Sequence, residues 1–239
     1  LYTAYEATHA AMRPLRLAAD VTRRFYRSPL NPASYLPQST AIAAACDVFE
    51  RVTRRYGKPE WGIDETTVDG HRVPVAIEPA ATLPFCTLLH FRREASAMPA
   101  KRDTDPRVLI VAPLSGHYAT LLRGTVQAML PEHEVYITDW HDARTVPLNL
   151  GKFGLAEYID YIIGFLRHLG PNTHVIGVCQ PGPAVLAAAS VMAAANDPCQ
   201  PATMTLMGSP IDTRKSPTVP NELATSRPLE WFEKNVISL

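Results

Sequence analysis

The chain has no net charge, few cysteines and no long apolar run, and each shortage excludes a class of function. Lysine plus arginine and aspartate plus glutamate both number 23 in 239 residues. No net field therefore recommends nucleic acid or an anionic membrane as partner, and a small molecule or neutral polymer suits the balance better. The four cysteines, Cys46, Cys86, Cys179 and Cys199, lie far apart in a chain large enough to bury its own core. Disulfide staples are not needed at that size, and free thiols in a reducing compartment are expected. The longest apolar stretch, Pro183 to Ala195, is about half a bilayer span and mostly alanine, so it reads as a core helix. A basic segment followed by an apolar one is missing near Leu1, and export is not expected. Also absent are Gly-x-x-x-x-Gly-Lys-Ser/Thr, Gly-x-Gly-x-x-Gly, Cys-x-x-Cys and His-Glu-x-x-His. Phosphate-loop, dinucleotide, dithiol and zinc-protease chemistry are set aside with them, and no cofactor is expected.

What remains is patterned. Residues 1–62 read as helical and end at the turn-rich break Tyr56-Gly-Lys-Pro-Glu-Trp-Gly62. In the second helical stretch Ile42, Ala45, Cys46, Phe49, Val52 and Tyr56 recur at spacings of three and four, predicting one apolar face with Cys46 as a packing residue. Prolines 29, 32 and 37 shape the loop before it. From Thr66 the period changes: Thr67 to Ile77 contains an Asp-Gly turn between β-favouring runs, and Phe85 to Phe91 is a further strand. Arg107–Ala112, Glu134–Thr138, His174–Val178 and Ala202–Met207 are short apolar runs separated by helical segments, the order of a parallel sheet built from βαβ units. Leu155, Tyr158, Ile159, Ile162, Ile163, Leu166 and Leu169 keep helical spacing until Gly170-Pro171 ends the helix.

The most informative stretch is Thr173 to Ala189: a β-branched run, a one-residue turn at Cys179, and a helix opened by prolines. This is a nucleophile-elbow pattern with sulfur in place of oxygen. A helix N-terminus favours the thiolate, the form that attacks carbonyls. The competing reading is a small buried cysteine where a strand feeds a helix, as in any α/β protein. The pattern also departs from Gly-x-Ser-x-Gly, because Pro181 stands at the second glycine and Gly182 comes one residue late. Proline is tolerated in a first helical turn, and the oxyanion donor expected here is the N–H of Gln180. Ala112-Pro-Leu-Ser-Gly-His117 occupies the loop expected to supply the second donor, from Leu114 or Ser115. Ser115 as nucleophile is disfavoured, since it sits in a loop with no identified base.

A general base is less legible. His174 is the last histidine, so none follows Cys179. His117 and His141 follow strands and are alternatives, each also readable as a loop histidine; Asp139 and Asp212 are possible acids or turn residues. Asp139-Trp-His-Asp142 could suggest a metal, but adjacent side chains in one loop are more often solvated.

Together these residues resemble the intracellular polyhydroxyalkanoate (polyhydroxybutyrate) depolymerase family. The resemblance runs through Pro29-Leu-Asn-Pro32, Phe49 to Glu60, Ala112-Pro-Leu-Ser-Gly-His-Tyr118, Tyr136-Ile-Thr-Asp-Trp140 with Asp142-Ala-Arg144, Val178-Cys-Gln-Pro181, and Leu206 to Arg214. It implies an α/β-hydrolase fold, a mostly parallel sheet flanked by helices. Residues 1–62 would form a helical N-terminal segment, 63–214 a partial hydrolase core, and 215–239 the start of a cap. A Cys-Asp-His triad is implied, with Cys179 as its cysteine and its Asp and His beyond the end of this chain, after the missing C-terminal strands. An edge left by those strands would make the chain poorly stable alone. The implied activity is hydrolysis of amorphous polyhydroxybutyrate to 3-hydroxybutyrate or oligomers, in the cytoplasm at the storage-granule surface, with no nucleic acid and no membrane span. The alternatives are a polyhydroxyalkanoate synthase, whose elbow typically has a glycine pair where this chain has Pro181-Gly182, and a non-catalytic granule-associated protein.

Overall fold

The computed structural model describes residues 2–99, 105–114 and 118–236. It divides into two compact units, residues 1–57 with 214–239, and residues 58–213.

The first unit opens with three helices, α1 (Tyr2–Ala11), α2 (Arg13–Arg27) and α3 (Ser39–Thr53). Pro14 sits in the first turn of α2, where a missing N–H costs little. Asn31 opens a short 3-10 turn over Pro32–Tyr35 by accepting from the Ala33 N–H at 3.1 Å. The Ser39 hydroxyl lies within reach of both the Ser34 and Leu36 carbonyls, at 2.6 and 2.7 Å, so loop and helix form one hydrogen-bonded corner. The face of α3 is rotated from the expected one. Ser39, Ile42, Ala43, Cys46, Phe49, Glu50 and Thr53 point inward, whereas Ala45, Val52 and Tyr56 are exposed. The reason is polar: Arg16 donates to the Thr53 carbonyl at 2.8 Å and Arg23 to Asp47 at 2.7 Å, which turns the hydrophilic edge of α3 toward α2. Cys46 keeps its packing position.

The second unit is a seven-stranded mixed sheet flanked by helices. Its strands are β1 (Glu65–Val68), β2 (His71–Leu83), β3 (Cys86–Arg93), β4 (Arg107–Val111), β5 (Glu134–Trp140), β6 (Thr173–Val178) and β7 (Thr203–Met207), in spatial order β1-β2-β3-β5-β4-β6-β7. The first three pairings are antiparallel, and β5, β4, β6 and β7 run parallel. Asp69 and Gly70 both take positive φ, 48° and 82°, as a two-residue hairpin of type I′ requires. The parallel strands are linked through α4 (Arg123–Met129), α5 (Leu155–Leu169) and α6 (Gly182–Ala194).

Alternate residues of β4 serve two cores. Leu109 and Val111 pack with Tyr158, Ile162, Phe165 and Leu166 of α5 and Val185, Ala188 and Met192 of α6. Val108 and Ile110 pack with Trp61, Phe91, Val126, Leu130 and Ile137 on the opposite face. Burial on both faces explains why β4 reads as an unbroken apolar run instead of alternating. Beyond the sheet the chain returns to the first unit with α7 (Val219–Ser226) and α8 (Leu229–Asn235).

Candidate active site

Strand order places the site. From β4 the chain moves to β5 on one side, then crosses to β6 on the other, so β4 and β6 are neighbours with Val111 opposite Gly177. The carboxyl ends of strands flanking such a reversal leave a crevice between diverging loops. Leu114 follows one of these strands and Cys179 the other.

Cys179 adopts φ +65°, a left-handed conformation that non-glycine residues rarely hold and that costs about 1 kcal/mol or more. Three contacts hold it there. Its N–H donates to the Met207 carbonyl of β7 at 2.8 Å, its own carbonyl accepts from Gly182 at 3.2 Å, and α6 begins at once with Val185 bonding back to Pro181 at 2.9 Å. All four cysteines are free thiols, and Cys179 alone among them is exposed. Cys86 is buried against the α5 core, and burial pushes its thiol well above the ordinary range, as in a packing residue. Cys46 and Cys199 are half-buried.

The displaced glycine of the motif has a steric cause. A Cβ on Gly182 would lie 2.1 Å from the Ser209 Cβ and 2.3 Å from its Oγ, so only glycine fits beneath the chain leaving β7. A Cβ on Gly177 would stand 3.2 Å from Val185 Cγ2 and 3.3 Å from Leu206 Cδ2, so that residue brings α6 and β7 close.

Across the crevice the loop after β4 is fixed by Ala112. Its N–H donates to Thr138 Oγ1 at 2.9 Å, and its carbonyl accepts from the Trp140 indole at 2.9 Å. Two residues on, the Leu114 N–H donates to Gln180 Oε1 at 2.7 Å. One oxyanion-donor candidate thus holds the side chain of the other. Ser115 and His117 lie outside the described residues.

The remaining candidates are tied into structure. His141 Nδ1 donates to the Pro84 carbonyl, an acceptor only, at 2.9 Å, and Nε2 lies 2.8 Å from Thr87 Oγ1. Asp139, nearly buried at the end of β5, is ion-paired with Lys58. Asp142 caps the turn Ala143–Thr145 by accepting from the Arg144 N–H at 3.1 Å. Asp212 is half-buried on the segment after β7. Among the described residues no group of three His, Cys, Asp or Glu side chains is arranged to hold a metal, and no helix is long and apolar enough to cross a membrane.

Sequence reasoning missed two of these features. The Gln180 side chain reaching Leu114 is a tertiary contact between loops more than sixty positions apart, with no local signal. Lys58 lies within a segment read as a turn-rich break and as part of the family resemblance, with no partner expected for it, and its pairing with Asp139 makes that segment part of the sheet unit.

The family model described as PHB de-polymerase C-terminus matches residues 208–239, which begin directly after β7. No curated protein matches the chain.

Proposed function

We propose that the chain is an α/β-hydrolase of the polyhydroxybutyrate depolymerase family that cleaves the polyester through a thioester on Cys179. The observation that carries the reading is the exposed Cys179 held at φ +65° between β6 and α6. An elbow of this kind lifts a nucleophile above the sheet and away from its own strand. Two further observations support it. With β1 set aside as a hairpin extension, the order β2-β3-β5-β4-β6-β7 is the 1-2-4-3-5-6 order of that fold, with the elbow after its fifth strand. The matched segment 208–239 also favours hydrolysis over polymerisation, because the matching model describes a depolymerase.

In the proposed reaction the Cys179 thiolate adds to an ester carbonyl, forming the sulfur–carbon bond and an oxyanion. The N–H groups of Gln180 and of Leu114, with Ser115 as the alternative to Leu114, receive that oxyanion. Collapse breaks the acyl–oxygen bond, and the departing alkoxide takes a proton to become the hydroxyl end of the shortened chain. Water then attacks the thioester, releasing a carboxylic acid and restoring the thiol. His141 is committed to Thr87 and Pro84, so the proton acceptor is assigned to another residue. No cofactor enters this sequence.

The test is release of 3-hydroxybutyrate from amorphous polyhydroxybutyrate, with Cys179→Ala measured in parallel. Release that disappears in the variant supports the reading. Equal release from both sinks it.

A further inference from the structure

Helix α2 is amphipathic in the wrong sense for a helix that packs only on its neighbour. Arg16, Asp20 and Arg23 lie on its half-buried side, where they bond Thr53, Asp47 and each other. Leu17, Val21 and Phe25, four residues apart and therefore on one stripe, are 62%, 67% and 53% exposed. The preceding and following residues Leu15, Leu30, Tyr35 and Leu36 are exposed as well. An apolar stripe on the outer side of a helix, with arginines at its border, is the pattern of a helix that lies in an interface.

Charge narrows what that interface is. Residues 1–57 hold eight arginines against four acidic residues, a net +4 within a chain that is neutral overall. The four acids are already engaged: Asp20 by Arg23 and Arg24 at 2.5 and 2.8 Å, Asp47 by Arg23 and Arg51 at 2.7 and 3.2 Å, Glu50 by Arg54 at 3.6 Å, and Glu6 by Arg55. Among the described residues neither Arg13 nor Arg16 pairs with a carboxylate, Arg16 being held by the Thr53 and His9 carbonyls. Both line an open cleft of about 690 Å³ together with His9, Arg24 and Arg54 and with Asp20 and Glu50, whose charges Arg24 and Arg54 already meet. The cationic surroundings contribute, after burial, to holding the His9 imidazole below its ordinary range. Leu17 belongs to both features, forming the end of the apolar stripe and part of the wall of the basic cleft.

An apolar surface studded with carboxylates would satisfy both at once. Hydrolysis of a polyester creates such a surface, since each cut leaves one carboxylate on a chain that is otherwise apolar ester. We propose that α2 docks the protein on the surface of the water-insoluble polyester, with Leu17, Val21 and Phe25 against the polymer and the Arg13–Arg16 cleft receiving its carboxylate ends. The proposal rests on the polyester reading above and assigns the docking element for it.

Docking is measured by co-sedimentation with amorphous polyhydroxybutyrate particles, using the Cys179→Ala chain so that binding and cleavage are scored separately. Replacing Leu17, Val21 and Phe25 together by Glu is expected to weaken retention by about tenfold or more, because it removes the buried apolar area and sets carboxylates against carboxylates. Arg13→Glu with Arg16→Glu is expected to weaken it less and to abolish most of its salt dependence. The stripe variant must keep the helical circular dichroism of the parent, and its cleavage of a soluble short 3-hydroxybutyrate ester must stay at the parental rate when Cys179 is restored. Retention equal to the parent's overturns the proposal. So does binding of phosphatidylglycerol vesicles but not of the polyester, or a stripe-dependent dimer in its place. If Cys179→Ala leaves polymer cleavage intact, the catalytic reading fails while the docking result stands by itself.

Discussion

The Leu114 N–H and the Gln180 side-chain carbonyl form a 2.7 Å hydrogen bond across the crevice between the loop after β4 and the elbow after β6. In the proposed reaction the Leu114 N–H receives the oxyanion, and this amide oxygen must leave before that N–H can serve a substrate.

Gln180→Ala should therefore raise the rate at which Cys179 is acylated by a small strained ester such as β-butyrolactone, by about threefold to tenfold, corresponding to release of one exposed hydrogen bond of about 1 kcal/mol. Alkylation by iodoacetamide, which forms no oxyanion, should not change. Gln180→Glu should do the opposite at neutral pH, because a carboxylate binds the N–H more strongly. Its acylation rate, corrected by alkylation for thiolate content, should recover as the pH approaches about 4 and the carboxyl protonates. Equal rates for all three chains would show that the bond does not compete with substrate.

Gly182→Ala tests the elbow without touching the thiol. The new Cβ meets Ser209 at 2.1 Å, backbone-anchored and unable to swing aside, so the first turn of α6 must shift. Acylation of Cys179 should fall by about a hundredfold, the scale of a reacting group misplaced by about 1 Å. Far-ultraviolet circular dichroism should change little. A full-rate variant would mean that the elbow tolerates the shift.

Glu134 offers a stability test remote from the crevice. It accepts from His90 Nε2 and from the buried Arg93, both at 2.8 Å, and the His90 bond with that guanidinium holds its carboxyl down at about 2. A depressed acid stabilises the fold above its unfolded value and loses that contribution as the pH falls toward the folded one, here between about 4.5 and about 2. Converted directly the shift is worth about 3 kcal/mol. The Glu134 side chain is 33% exposed, and screening reduces this to about 1–2 kcal/mol. Glu134→Gln should melt below the parent at pH 7, and the two should converge near pH 2. A constant gap across that range would contradict the assignment.

The elements with strong local signals are legible in the sequence itself. Helix α5 spans Leu155–Leu169 as its spacing predicts, and the Asp69-Gly70 hairpin and the four parallel strands fall where β-branched runs and turns put them. These are decisions made within a few residues. The rotation of α3 was not legible, because it depends on Arg16 and Arg23 of another helix claiming Thr53 and Asp47. At the elbow the late glycine read as a departure from the motif, and its cause, Ser209 lying over Gly182, is twenty-seven positions away and visible only once β7 is placed. The engagement of His141 by Pro84 and Thr87 was hidden in the same way, since β3 and β5 must pair first.

In the proposed reaction Cys179 carries the acyl group. Brief exposure of the chain to a 3-hydroxybutyrate ester, followed by acid quench and peptide mass mapping, tests it most directly. A 3-hydroxybutyryl adduct is expected on the peptide containing Cys179, removed by neutral hydroxylamine as a thioester is. An adduct on a serine peptide, or hydrolysis that proceeds unchanged in Cys179→Ala, would contradict it.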